Sequence, residues 1–142
     1  MRSVDKKFIL VPADTKTHQS QIYISQKDIR SVQLGKSALI TGIEFLLKQA
    51  GLKRPEKIII AGAFGSHLNS SDLIQLGMIP EIDPEKIEAA GNAAGSGAVM
   101  ALCKKEYIDE AIETAGKIQV VDLASNAEFQ KVFITNLGFP TN

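Results

Sequence analysis

Ile58, Ile59 and Ile60 run straight into Ala61-Gly62-Ala63-Phe64-Gly65 with no polar residue between them. A β-branched run without alternation implies a strand buried on both faces, as in a parallel sheet covered by helices. Sheets of that kind hold ligands beyond the carboxyl ends of their strands, and Ala61 to Gly65 fall at such an end. Two glycines with only alanine and phenylalanine between them leave the backbone unshielded, so a flat or phosphorylated ligand could approach its N–H groups. A tight turn after a strand uses the same residues, and both readings stand at this point.

A chain of 142 residues is long enough for one domain with a core of its own. Its 16 basic and 16 acidic side chains cancel, which leaves no general electrostatic reason to bind nucleic acid or an anionic membrane. One cysteine, Cys103, rules out a disulfide framework or a cysteine-ligated zinc or iron–sulfur site built within this chain alone. That cysteine lies in an apolar helical run and is expected to be buried and slow to react. His18 and His67 are too few and too isolated for a metal site. No apolar run approaches the roughly 20 residues of a membrane span, so a soluble, cytoplasmic protein is expected.

Taken in order, Phe8–Ala13 and Gln21–Ser25 are strand-like segments around a polar stretch, and predict a β-hairpin. Ser25 and Asp28 form a variant capping box that opens a long helix ending at Gly51. Ile29, Val32, Leu39, Ile43, Leu46, Leu47 and Ala50 supply its apolar stripe, with Gln33 and Lys36 close beside it. Geometry favours Lys36 laying its stem on apolar surface and carrying its ammonium to water. Gly35-Lys36-Ser37 looks like the tail of a P-loop, but the position that needs the first glycine is Arg30, inside the helix.

After the central strand, Asn69 to Asp72 cap a short helix closed by Gly77, and Asp83-Pro84 begin one further turn. Ile87 to Ala90 read as a second inner strand ending at Gly91, followed by GNAAGSGA and a helix through about Leu102. The Gly-x-x-x-Gly-x-Gly spacing is not the dinucleotide fingerprint. Glu106 to Ala115 are helical, Lys117 to Leu123 predict a third strand, and Ser125 with Glu128 form a second capping box before a last helix. The alternation predicts a layered α/β domain, helices on both faces of the sheet, with the hairpin at its start and no further division.

FILVPA, ISQKDIRSVQLGKSALITGIEFLLKQAG, IIIAGAFGSHL, GNAAGSGA and LASNAEFQKVFITNLGFP together resemble the carboxyl-terminal part of the reductive activators of corrinoid proteins. The resemblance covers nearly the whole chain. It implies one lobe of an actin-like, ribonuclease H-like ATPase, and a role in returning a corrinoid methyl carrier from Co(II) to Co(I) at the expense of ATP. Mg would accompany ATP in the full-length protein, and an iron–sulfur cluster would lie in a ferredoxin-like domain elsewhere. A corrinoid protein and an adenine nucleotide are the implied partners, and a homodimer is a further arrangement. Ile58 to Gly65 match the adenosine-contacting strand and loop, while Gly91 to Gly97 match the close-packed start of a connecting helix.

The implied nucleotide site is therefore Gly62, Ala63, Phe64 and Gly65, with Gln33 reading the adenine edge and Lys36 meeting ribose or phosphate oxygens. Asp14-Thr15-Lys16-Thr17 carries lysine where an Asp-x-Gly-Thr phosphate loop requires glycine, and reads as a solvated loop. The chain is about half the length expected of a two-lobed ATPase, so it is either a piece of a longer polypeptide or a short homologue with one lobe. A non-catalytic domain that docks a corrinoid protein or dimerises is the rival reading. Because no motif here positions both metal and phosphate, the isolated chain is expected to release no phosphate from ATP. Turnover near one per second, the low end of ordinary enzymes, abolished by a substitution in this chain, would overturn that expectation.

Overall fold

The computed structural model describes residues 6–13, 20–62 and 68–141. Strand β1 (Lys7–Val11) pairs antiparallel with β2 (Ile22–Ser25), as the hairpin reading predicted, with an irregular register between Ile9 and Val11. The loop carrying Asp14 to Thr17 and His18 lies outside the described residues, as does His67. Helix α1 (Gln26–Gln49) follows β2 directly. Ser25 caps it reciprocally: its hydroxyl accepts the Asp28 N–H at 3.2 Å, and the Asp28 carboxylate accepts the Ser25 N–H at 2.8 Å. Ala50 and left-handed Gly51, at φ +69°, end the helix.

Strand β3 (Ile58–Ala61) leads to the short helix α2 (Ser70–Gln75), capped by Asn69 and closed by Gly77. A single 3₁₀ turn (Pro84–Lys86), capped by Asp83, then feeds β4 (Ile87–Gly91), which lies parallel to β3. Lys57, just ahead of β3, pairs with Glu88 on β4. Helices α3 (Ala93–Cys103), α4 (Lys105–Lys117) and α5 (Ala127–Thr135) complete the chain. The α/β class is as the alternation implied, and among the described residues the sheet consists of two two-stranded pieces.

The core sits between α1 and α5 and under α2. Ile40, Phe45, Leu73 and Ile79 are its buried apolar side chains. Phe45 meets Phe129 edge-on with ring centres 6.3 Å apart, and Phe129 stacks with Phe133 at 6.4 Å.

Several sequence expectations are corrected. The buried face of α1 is Lys36, Ser37, Ile40, Thr41 and Phe45, whereas Ile29, Val32, Leu39 and Leu46 are exposed. Spacings of three and four mark more than one face of a helix, and α5 offers polar groups that call for hydroxyl partners rather than a leucine stripe. Ile58–Ile60 is not covered on both faces: Ile58 and Ile60 are half-buried and Ile59 is exposed. The segment after α4 forms no strand, because it finds no neighbouring ladder, and Val120 is 94% exposed. Asn126, not Ser125, caps α5, accepting the N–H groups of Glu128 and Phe129, while the Ser125 hydroxyl donates to Asp122. Cys103 is exposed at the end of α3, so the slow reactivity expected of a buried thiol does not follow.

Hydrogen bonds from Ser25, side chain first and backbone next, hold the Asp28 carboxyl below its usual value of 3.8, and those from Ser125 do the same for Asp122. A carboxyl depressed on folding adds stability that is present above its unfolded pKa and lost as pH falls through the folded value. Acid titration monitored by circular dichroism is therefore expected to show α1 and the α5 junction weakening below about pH 4. Ser25→Ala should lower helicity at neutral pH and flatten that acid response, and an unaltered profile would refute the capping account.

Candidate functional site

Strands β3 and β4 end side by side. The Gly62 N–H donates to the Gly91 carbonyl at 2.7 Å, which carries the parallel pairing one step past β3. Gly62 has φ +95° and Gly91 φ +58°, conformations that a Cβ strongly disfavours. Among the described residues no atom lies within 4 Å of a Cβ built on either glycine, so the constraint at both positions is the backbone angle rather than crowding. Beyond Gly91, the Asn92 side chain accepts the Gly95 N–H at 3.0 Å and opens α3. Asn92, Gly95, Ser96, Val99 and Met100 line an open groove along the first turns of that helix. GNAAGSGA thus combines a strand end, a cap and a small-residue helix, as its place in the sequence suggested.

Of the residues singled out by sequence, Gly62 stands at the strand end, and Ala63, Phe64 and Gly65 lie outside the described residues. Gln33 is half-buried on α1. Lys36, one turn further on, is only 4% exposed and does not snorkel to water. Its ammonium donates to the Gly138 carbonyl at 2.6 Å and lies 5.9 Å from the centre of the Phe139 ring. It also sits against the Gly77 turn: a Cβ on Gly77 would come within 3.3 Å of Lys36 Nζ and 2.9 Å of Pro140 Cγ. The reason is local, since burial forces an ammonium to find an acceptor and the carbonyls just beyond α5 are within reach.

Sequence reasoning missed the rest of this seam. The Ser37 hydroxyl donates to the Phe133 carbonyl, and Asn136 Nδ2 donates to Thr41 Oγ1 and to Glu44 Oε2, each at 3.1 Å. Ser37 and Thr41 are fully buried. Lys48 and Glu128 extend the same side of α1 with an exposed ion pair at 2.5 Å, which adds little by itself. The i, i+4 series Ser37, Thr41, Phe45 was the available signal, a hydroxyl-bearing stripe that competes with the leucine stripe.

A family described as the C-terminal domain of RACo, the ASKHA domain, matches residues 2–142, and the chain belongs to that family. The corrinoid activation enzyme RamQ of Eubacterium limosum is 33% identical over 137 residues, covering 95% of this chain and 23% of that protein. A solved structure of a reductive activator for corrinoid, iron-sulfur protein superposes with a TM-score of 0.80 at 30% identity, over 94% of this chain and 22% of that one. The chain thus spans under a quarter of the length of either relative. The resemblance read from the sequence is the family shown here.

Two glycines of nearly equal φ separate backbone strain from crowding. Gly51, φ +69°, has nothing within 4 Å of a built Cβ, whereas Gly77, φ +68°, would strike the Pro140 ring. Gly51→Ala is expected to cost about 1 kcal/mol, the penalty of a left-handed L-residue. Gly77→Ala should cost distinctly more, because Pro140 and Lys36 must shift. Urea midpoints of the two variants check this, and equal losses would refute the close packing at Gly77.

Proposed function

We propose that this chain is the nucleotide-binding lobe of an ATP-dependent reductive activator of corrinoid proteins, supporting the return of Co(II) to Co(I). The observation that carries the reading is the pair of left-handed glycines at the adjacent ends of β3 and β4, joined by the bond from the Gly62 N–H to the Gly91 carbonyl. The family, and relatives named for corrinoid activation, supply the direction.

The residues present fit an adenine nucleotide. Gly62 to Gly65 would offer unshielded backbone to the flat base, and Gln33 would present an amide able both to donate to and to accept from its edge. Hydrolysis of bound ATP supplies the free energy for a low-potential electron transfer. A chain with one cysteine cannot by itself ligate the cluster that delivers the electron, so that centre and the residues holding Mg are assigned to other parts of the activator.

A second reading, a module that docks a corrinoid protein or another protein chain, is favoured by the amount of apolar surface left uncovered. Phe8, Leu39, Leu46, Leu102 and Val120 are all exposed. Calorimetry separates the two. ATP is expected to bind the wild-type chain, and Gly62→Val to weaken binding at least about tenfold by blocking the backbone approach, a loss near 1.4 kcal/mol. Gln33→Leu should cost about fivefold, the worth of one ordinary hydrogen bond. Circular dichroism verifies that both variants are folded, since φ +95° strains any side chain at position 62. Unchanged affinity in both would leave a tight turn and favour the docking module, which should then bind a corrinoid protein without nucleotide.

A further inference from the structure

We infer that Lys36 is a positioning residue that fixes helix α2 and the Gly77 turn from behind, rather than a group that touches nucleotide. This rests on the nucleotide reading of the β3 end, and its structural half stands independently of it. Two anchors are described on this side of the molecule. The first is the Gly62 N–H held by the Gly91 carbonyl at 2.7 Å. The second is the Gly77 turn at the end of α2, where the Gly77 N–H reaches the Ile74 carbonyl at 2.9 Å and Leu73 and Ile79 are buried.

Lys36 joins that second anchor to the carboxyl-terminal segment. Its ammonium donates to the Gly138 carbonyl at 2.6 Å, faces the Phe139 ring at 5.9 Å, and lies with Pro140 against the bare Cα of Gly77. One buried cation therefore touches three elements distant in sequence: α1, the turn after α2, and the segment after α5. Without it, the Gly138 carbonyl loses its donor and the Gly77 turn loses the wall it packs on. Because the ammonium is buried against Gly138, Phe139 and the Gly77 turn, its effect on a ligand is exerted through the position of α2 and not through contact.

Amide hydrogen exchange without nucleotide tests the clamp. Lys36→Met keeps the stem and removes the ammonium, and is expected to speed exchange about tenfold in both the 70–80 and 136–141 segments while β1, β2, α3 and α4 stay as in the wild type. Lys36→Cys in a Cys103→Ser background, alkylated in denaturant with 2-bromoethylamine and refolded, regrows a lysine-length ammonium and should restore slow exchange in both segments. Truncation after Leu137 should likewise loosen 70–80 and make Lys36 one of the readily acylated lysines instead of a protected one. Unchanged exchange, a rise confined to 136–141, or a uniform rise throughout the chain would each overturn the clamp. ATP titration then separates the two ideas. Weaker binding by Lys36→Met that returns on aminoethylation, in step with exchange, supports positioning, whereas weaker binding with unchanged exchange means contact and overturns it. A wild-type chain that binds no ATP removes the nucleotide reading and leaves the exchange result to judge the clamp.

Discussion

A hydroxyl or an ammonium sealed from water must find a hydrogen-bond partner or lose more free energy than its burial returns, and α1 buries three such groups on one face. Ser37, Thr41 and Lys36 meet the Phe133 carbonyl, the Asn136 amide and the Gly138 carbonyl in turn. These partners are the last turn of α5 and the residues after it, where helix carbonyls have no donor of their own. The Phe133 and Gly138 carbonyls thus accept from side chains of α1, while the Asn136 amide donates to the Thr41 hydroxyl. The apolar contacts of Phe45 with Phe129, and of Phe129 with Phe133, then form beside a seam whose register is already decided.

The arrangement explains why so much apolar surface remains open. Turning the polar face of α1 toward α5 sends Ile29, Val32, Leu39 and Leu46 outward. Among the described residues the two two-stranded sheets leave edges without a strand partner, and Ile59 lies bare on the face of β3. A pair of parallel strands is a small platform, steadied here by the Lys57–Glu88 pair, the crossover through α2 and the glycine link at its carboxyl end. Relatives more than four times as long contain a stretch similar to this chain.

At the strand ends, geometry and sequence reinforce each other. Gly62 and Gly91 occupy conformations that side chains resist, and the bond between them holds the carboxyl ends of β3 and β4 side by side. Lys36 lies one turn beyond half-buried Gln33 but is itself buried and bonded to Gly138, so neighbouring positions that look equivalent on a helical stripe differ in their surroundings. A lysine beside an apolar stripe suggests snorkelling only when water is the nearest acceptor.

Local chemistry was legible in the sequence wherever one residue acts on its own neighbours. The Ser25–Asp28 box, the Asn69 and Asp83 caps, the Gly51 and Gly77 stops and the glycine ends of β3 and β4 all depend on backbone a few residues away. What required the tertiary structure was every choice between faces and partners. Which stripe of α1 turned inward depended on α5, about 90 residues later in the chain, and that choice overrode the longer leucine pattern. Ile118 to Leu123 has strand-forming residues but no ladder to join, and a strand exists only as part of a pair. Lys36 was visible as a charge at an apolar border, and its acceptor was set by Gly138, 102 positions away, because burial energy depends on what the fold brings near and not on sequence distance.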